Sequence, residues 1–202
     1  MKLTIELMKR LSLYLFLLLL TLQTPSLADD IRDFQIEGIS VGDSLLDYFS
    51  ETEIKNQTQY IYEEDGTKEI AAIFYSTNLK TYDSVQLNFK TEDHKLTIVG
   101  INGDIHYTGN IEECSEKKDQ IVKEISNIFK DAEKASSSGS HPGYTYGMVT
   151  FKKTSFFINE NERSNLEIIC FDIAEELNMI DRLTLDLKSK EYNEWLMKLY
   201  QK

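Results

Sequence analysis

The chain contains few basic residues, few histidines and few cysteines for its length. Its 202 residues include 22 lysines and arginines against 34 aspartates and glutamates, a formal net charge of −12 at pH 7. A chain with this excess of negative charge repels nucleic acid and anionic lipid surfaces. We therefore expect no nucleic-acid partner.

Several motifs that carry chemistry are also missing. The sequence contains no H-E-x-x-H motif and no glycine-rich phosphate loop. The three histidines, His94, His106 and His141, lie in or near predicted turns without a partner motif, so each is expected to be a surface residue rather than a general base. The acidic stretch NENERSNLEII lacks the ligand spacing of an EF-hand loop. We predict a protein that is not an enzyme and that has no cofactor.

The longest apolar run lies at the N-terminus and indicates export. Residues 1–28 begin with basic residues, continue through an apolar block at residues 11–22 and end in Pro25-Ser26-Leu27-Ala28. This order is typical of a secretory signal peptide, since the block is shorter than the roughly 20 residues that span a bilayer. We expect cleavage after Ala28 and no stable membrane insertion afterwards; an uncleaved anchor is the alternative.

The composition also indicates where the exported chain resides. With only two prolines and abundant lysine, isoleucine and asparagine, it is typical of a bacterial protein, which predicts the periplasm or the cell exterior. Cleavage after residue 28 leaves 19 basic and 33 acidic residues, a net charge of −14. The remaining 174 residues suit one domain or two small halves that share a core.

Periodicity predicts that residues 29–133 form a first half of α/βββα order. A helix carrying Leu45, Leu46 and Phe49 on one side is expected after Ser40, and the S-x-x-E pattern that starts at Ser50 predicts a capping box on a second short helix. Strands are expected at residues 70–75, 83–90 and 95–101. The clearest helix then covers residues 111 to about 133, with one apolar stripe.

The second half repeats this order after a polar segment. Residues 134–147, KASSSGSHPGYTYG, have the composition of a flexible connector. Residues 148–202 then predict strands near 148–158, 166–171 and 182–188 and a last helix over 191–200, a second βββα half. Half-apolar strands alternating with amphipathic helices predict an α+β fold of two layers, an antiparallel sheet with its helices on one face. We expect one compact unit.

The sheet face away from the helices is the predicted binding surface. The alternation of the strands places polar residues on it, among them Ser84, Gln86, Asn88, Thr184 and Asp186. A solvated face without a partner is the alternative interpretation.

The two cysteines are the sharpest local signal. Cys114 shares the apolar stripe of the central helix, and Cys170 alternates with Leu166 and Ile168, away from Glu167, which is expected to be exposed. Both sulfurs therefore point into the layer between helix and sheet, which predicts a disulfide in an oxidising compartment. Two buried free thiols are the alternative. No metal site is expected, because no histidine lies at ligand spacing from either cysteine.

Three segments carry a resemblance to known proteins. DIRDFQIEGISVGDSLLDYFSETEI, NIEECSEKKDQIVKEI and WLMKLY together resemble a family of uncharacterised exported proteins of marine alphaproteobacteria, which implies a periplasmic location. Gly38-Ile39-Ser40 followed by Leu45-Leu46 is similar to the start of SmpA/OmlA-type lipoproteins, although the lipid-bearing cysteine is missing. The doubled element order resembles the tandem layout of beta-lactamase inhibitor proteins in topology. Similarity of fold does not carry function.

These observations favour a non-catalytic role in the bacterial envelope. We expect a binding module whose partner is an envelope protein or peptide, met by the open sheet face or by the connector. The alternative is a small-molecule or divalent-ion carrier, which requires a pocket with convergent polar groups.

Overall fold

An eight-stranded antiparallel sheet forms the centre of the molecule. The computed structural model describes residues 30–61, 69–158 and 164–200, so the predicted signal peptide lies outside the described residues. The strands follow the order β3-β4-β5-β6-β10-β9-β8-β7, and a separate two-stranded hairpin is formed by β1 and β2. The α+β class and the antiparallel sheet predicted from the sequence are confirmed.

The elements have the following bounds. The strands are β1 (Gln35–Ile36), β2 (Ile39–Ser40), β3 (Gln59–Ile61), β4 (Ile70–Tyr75), β5 (Ser84–Lys90), β6 (Ile98–Tyr107), β7 (Glu133–Ser140), β8 (Val149–Ile158), β9 (Ser164–Ile173) and β10 (Asp181–Lys188). The α-helices are α1 (Glu51–Gln57), α2 (Ile111–Ile128) and α3 (Lys190–Tyr200). Short 3-10 turns occupy Ile31–Asp33, Leu45–Asp47 and Glu175–Leu177.

The same order of elements occurs twice along the chain. Strands β3 to β6 form an antiparallel meander followed by α2, strands β7 to β10 form a second meander followed by α3, and the meanders join where β6 pairs with β10. Strands β5 and β9 begin 80 residues apart, at Ser84 and Ser164, and the two helices begin 79 residues apart, at Ile111 and Lys190. Each half is therefore ββββα, one strand more than the sequence predicts.

The additional strand of the second half corrects the prediction of a flexible connector at residues 134–147. Residues 133–140 form β7, which pairs with β8 along its whole length, and α2 ends at Ile128 rather than near residue 133. Serine and glycine suggested a linker by composition, yet a strand on the sheet edge needs no apolar side chains when its backbone is paired on one side. The turn that follows, residues 141–147, remains outside regular structure.

The prediction of a helix directly after Ser40 is also wrong. The N–H of Ser40 donates to Oδ2 of Asp43 at 2.8 Å, the N–H of Gly42 donates to the carbonyl of Ile98, and the N–H of Ile98 donates to the carbonyl of Asp43. The two bonds with Ile98 attach the segment to the beginning of β6, so its backbone is not free to form a helix. Only the turn Leu45–Asp47 is helical; Leu45 is buried, whereas Leu46 is exposed.

The main core lies on one face of the sheet. Inward side chains of the central strands pack beneath α2 and beneath the segment that runs from Ile31 to Ile54; they include Val85, Leu87, Ile101, Leu185 and Leu187. The capping box of α1 is confirmed, because Glu53 accepts from the N–H of Ser50 and donates its own N–H to the Ser50 hydroxyl. This places Ile54 in the core.

The predicted disulfide is confirmed. Cys114 of α2 and Cys170 of β9 are bonded, and both are buried in the main core. The bond closes a loop of 56 residues that contains β7, β8 and most of α2. It ties the helix of the first half to the sheet of the second.

The last helix packs on the opposite face, which corrects the expectation that all helices share one side. Tyr192 and Trp195 form a small second core with Ile70 and Val99. A β-carbon at Gly100 would lie 2.6 Å from the Tyr192 ring, and Gly100 alternates with Ile101, which faces the main core. The apolar stripe of α3 predicted which side of the helix is buried, but the sheet face that receives it depends on the bare backbone at Gly100.

Candidate functional site

A groove of ≈ 750 Å³ lies on the sheet face opposite α2. One wall is α3, through Tyr192 and Leu196, and the other end is the turn after β7, at residues 141–143. The floor is formed by side chains of strands β5, β6, β10, β9 and β8. It occupies the part of the predicted open face that α3 leaves uncovered.

Strand register explains which side chains meet on the floor. Gln86, Asn102, Asp186, Glu167 and Ser155 are successive partners across five strands, so all five lie on the same face in one row. A neighbouring row contains Thr184, Ile169 and Lys153. Neighbouring strands are about 4.8 Å apart, so side chains of adjacent rows and strands are in contact range.

Four charged side chains form a connected cluster on the floor. Lys188 Nζ lies 2.6 Å from Glu167 Oε2 and 2.5 Å from Asp186 Oδ2, and Lys153 Nζ lies 2.8 Å from Glu167 Oε1. The hydroxyl of Ser155 donates to Glu167 Oε1 at 2.9 Å. The side chains of Glu167 and Asp186 are each 9 % exposed, so these ion pairs are largely removed from water.

The two carboxylates of the cluster are not equally compensated. Burial raises the pKa of Glu167, but the Lys188 ammonium together with hydrogen bonds from Lys153 and Lys188 outweighs it and brings that pKa to about 2. Burial also raises the pKa of Asp186, and here the attraction of Lys188 offsets it only in part, so the net direction is upward. The pKa of Lys188 is raised, because its two carboxylate neighbours outweigh its burial.

Asp186 retains one oxygen without a partner. Its Oδ2 accepts from Lys188, whereas its Oδ1 is buried and has no hydrogen-bond partner among residues 30–61, 69–158 and 164–200. A buried polar atom without a partner costs about 1–3 kcal/mol, so such atoms are rare in folded proteins and call for an explanation. Asp186 is one of the residues that line the groove.

Aromatic side chains line the end of the groove near the turn after β7. Phe151 and Phe171 are register partners on β8 and β9, and the His141 ring lies 6.3 Å from that of Phe171. The guanidinium of Arg182 lies 5.0 Å from the centre of the Phe171 ring. Exposed apolar side chains also lie on the two loops at this edge of the sheet, between β7 and β8 and between β9 and β10: Tyr144, Tyr146, Met179 and Ile180. Tyr144 contacts both His141 and Met179.

The five residues predicted as a binding surface share one face but not one environment. Gln86 and Asp186 line the groove. Ser84 and Thr184 hydrogen-bond to Asp104 at 3.4 and 2.6 Å, outside the groove. Asn88 is fully buried beside Gly100 and Tyr192, with hydrogen bonds to Gln86 and Asn102. This face is therefore less exposed to solvent than predicted, because α3 covers part of it.

Sequence reasoning missed Lys153, Glu167 and Lys188. Glu167 was expected to be exposed, yet it is buried and pairs with both lysines. The sequence does contain a signal for this cluster. Glu167 is the lone charge in the apolar run LEIIC of a strand, and Lys153 and Lys188 lie in the strands before and after it. A single charge in such a strand requires a partner of opposite sign.

A serine motif near the N-terminus has a structural explanation. Residues 38–42 read G-I-S-V-G, which fits the G-x-S-x-G pattern of hydrolase nucleophile elbows. That motif requires a strand followed by a sharp turn into a helix, with the serine exposed. Here Ser40 ends a two-residue strand of a hairpin, is 6 % exposed and is followed by a turn bound to β6. The glycines serve backbone positions with positive φ, +83° at Gly38 and +96° at Gly42.

No helix in the described ranges is long and apolar enough to cross a membrane, and those ranges hold no group of three or more histidine, cysteine or acidic side chains arranged to bind a metal ion. No protein-family model matches the sequence, and neither curated proteins nor solved structures gave a significant match.

Proposed function

We propose that the chain is an exported, non-catalytic protein of the bacterial envelope that binds a protein or peptide segment in the groove. The observation that carries this proposal is the groove itself, which joins a polar, charged floor to an aromatic end. Exposed Tyr146, Met179 and Ile180 lie on the loops at the same edge of the sheet. Aromatic anchors beside polar groups are typical of protein and peptide interfaces.

The dimensions of the groove fit an extended chain. It crosses five strands, a width of about 19 Å at the usual strand spacing, and an extended segment of about six residues covers that distance. The amide side chains of Gln86 and Asn102 on the floor are able to pair with backbone groups of such a segment.

Two further features support the envelope location. Disulfides persist in oxidising compartments, and the Cys114–Cys170 bond is of the structural kind, buried in the main core. The order of basic, apolar and small residues over residues 1–28 is that of a secretory signal. Fractionation of a bacterium that produces the full chain tests this: the processed protein is expected in the periplasmic fraction.

A peptide display experiment tests the binding function. A random peptide library is selected on the wild-type protein, and the selected peptides are measured on two variants. Gln86→Trp places a large ring on the groove floor and is expected to abolish binding. Lys152→Trp places the same ring at an exposed position of β8 on the other sheet face and is expected to leave binding unchanged. Peptides that bind both variants equally would contradict the groove as the site.

A small-molecule carrier is the second candidate. The volume of ≈ 750 Å³ and the convergence of amide, carboxylate and ammonium groups suit a ligand of drug-like size. Thermal-shift screening of wild-type protein and Gln86→Trp against envelope metabolites distinguishes the two candidates. A carrier predicts that a metabolite raises the melting temperature of the wild-type protein alone, whereas a peptide module predicts no such compound.

A further inference from the structure

The free oxygen of Asp186 indicates the chemistry of the groove's ligand. Asp186 is nine-tenths buried at its side chain, lies in the middle of the floor row and keeps Oδ1 without a partner in the described part of the chain. Its neighbours in that row, Asn102 and Glu167, do not donate to it. The position therefore supplies an acceptor for a hydrogen-bond donor that the described residues do not contain.

Every other carboxylate oxygen on the floor already has a donor. Glu167 Oε1 accepts from Lys153 and Ser155, Glu167 Oε2 accepts from Lys188, and Asp186 Oδ2 accepts from the same ammonium. One lysine thus serves two carboxylates, and Asp186 receives the smaller share of the positive charge. A donor that also carries positive charge satisfies the missing hydrogen bond and adds to the single ammonium that Asp186 shares with Glu167.

The walls of the groove suit the stem of a long cationic side chain. Ile169, Phe151 and Phe171 present apolar surface near the floor. The Phe171 ring already carries the Arg182 guanidinium at 5.0 Å, so this end of the groove tolerates a cation against an aromatic face. The chain as a whole has a net charge of −12, which attracts a basic partner over long range.

We propose that the groove selects a peptide segment that inserts one lysine or arginine side chain toward Asp186, with its methylene groups against Ile169, Phe151 and Phe171. This inference rests on the proposed peptide-binding function and assigns its ligand chemistry. The cationic head donates to Asp186 Oδ1, and the peptide backbone lies across the row that contains Gln86 and Asn102.

Three fluorescein-labelled peptides test the proposal by fluorescence anisotropy. They share one apolar and polar background taken from a groove-binding peptide of the display experiment, and they differ at one central position, which is lysine, norleucine or glutamate. Norleucine keeps the methylene stem and lacks the charge. The lysine peptide is expected to bind about tenfold more tightly than the norleucine peptide, the effect of one charge-assisted hydrogen bond.

Protein variants separate this inference from the function on which it rests. Asp186→Asn keeps the shape of the side chain and is expected to remove the preference for lysine over norleucine. Asp172→Asn makes the same chemical change at an exposed position of β9 on the other face and is expected to keep that preference. Thermal melting of both variants shows that each is folded.

The outcomes distinguish the cation site at Asp186 from the proposed peptide-binding function. Equal binding of the three peptides by the wild-type protein, lost in Gln86→Trp, overturns the cation site and leaves the peptide groove standing. A lysine preference that survives Asp186→Asn also overturns the cation site. Failure to obtain any groove-binding peptide overturns the proposed function and the cation site together.

Discussion

Gly100 of β6 and Tyr192 of α3 fit together without room for one additional carbon atom. A β-carbon at position 100 would lie 2.6 Å from both Cδ1 and Cε1 of the Tyr192 ring. This contact holds α3 on the sheet face opposite the main core and so creates one wall of the groove. The position of the candidate site therefore depends on a residue that has no side chain.

Gly100→Ala is expected to destabilise the protein by about 1–3 kcal/mol, the usual cost of overpacking a well-packed contact. Urea unfolding measures the change. Gly139→Ala is the matched control, because a β-carbon there would meet its nearest neighbour, the Phe151 ring, at 3.7 Å, an ordinary contact. Tyr192→Leu is expected to relieve part of the cost in the double variant, and additive effects of the two substitutions would contradict the contact.

Glu167→Gln is expected to destabilise the protein by about 3–5 kcal/mol, because it leaves the buried Lys188 and its neighbour Lys153 without their shared carboxylate. Asp172→Asn, also on β9 but exposed, is expected to change stability by less than about 0.5 kcal/mol. Chemical denaturation of the two variants in parallel provides the comparison. Similar stabilities for both would show that the cluster does not stabilise the fold.

The stability of the protein is expected to fall in acid through the same residue. The pKa of Glu167 is about 2 in the folded protein against 4.5 as its ordinary value, so its contribution is present above about pH 5 and is lost as the pH falls toward 2. The contribution of Glu167 to the free energy of unfolding is about 3 kcal/mol, because one pKa unit corresponds to about 1.36 kcal/mol. Denaturation at a series of pH values measures it. In Glu167→Gln this part of the acid dependence should be missing; an unchanged pH profile would assign it to other carboxylates.

Reduction of the Cys114–Cys170 bond is expected to lower the free energy of unfolding by about 4 kcal/mol, the chain-entropy value for a loop of 56 residues. Melting with and without reductant measures the loss, and the double variant Cys114→Ala, Cys170→Ala serves as a control that reductant does not affect. Mass spectrometry after alkylation tests the bond itself. Two thiols that react in the unreduced, unfolded protein would contradict it.

Local patterns predicted the elements that depend on local or one-sided interactions. The capping box at Ser50 and the strands β5 and β10 were predicted from neighbouring residues alone, and the structure contains all three. The disulfide was predictable because two independent periodicities placed Cys114 and Cys170 in the same layer. These inferences needed no knowledge of which strands are adjacent.

The groove, in contrast, depends on pairing that a single sequence does not reveal. Glu167, Lys153 and Lys188 meet only because β9 lies between β8 and β10, and β7 forms because β8 offers it a backbone partner. The sheet face on which α3 packs was also not predictable, since Gly100 has no side chain that would indicate a packing position. Sequence reasoning thus found Gln86 and Asp186 but not their charged neighbours.

Strand β7 also affects the behaviour of the protein in concentrated solution. It is the last strand of the sheet in the described part of the chain; its residues 133–139 are exposed, and five of these seven are serine, alanine or glycine, with Lys134 as the one basic side chain. Such an edge offers little steric obstacle to a strand from another molecule, so mutual repulsion of the acidic chains carries much of the protection against aggregation. Acidification or high salt weakens that repulsion, and light scattering under those conditions is expected to show association that begins at this edge.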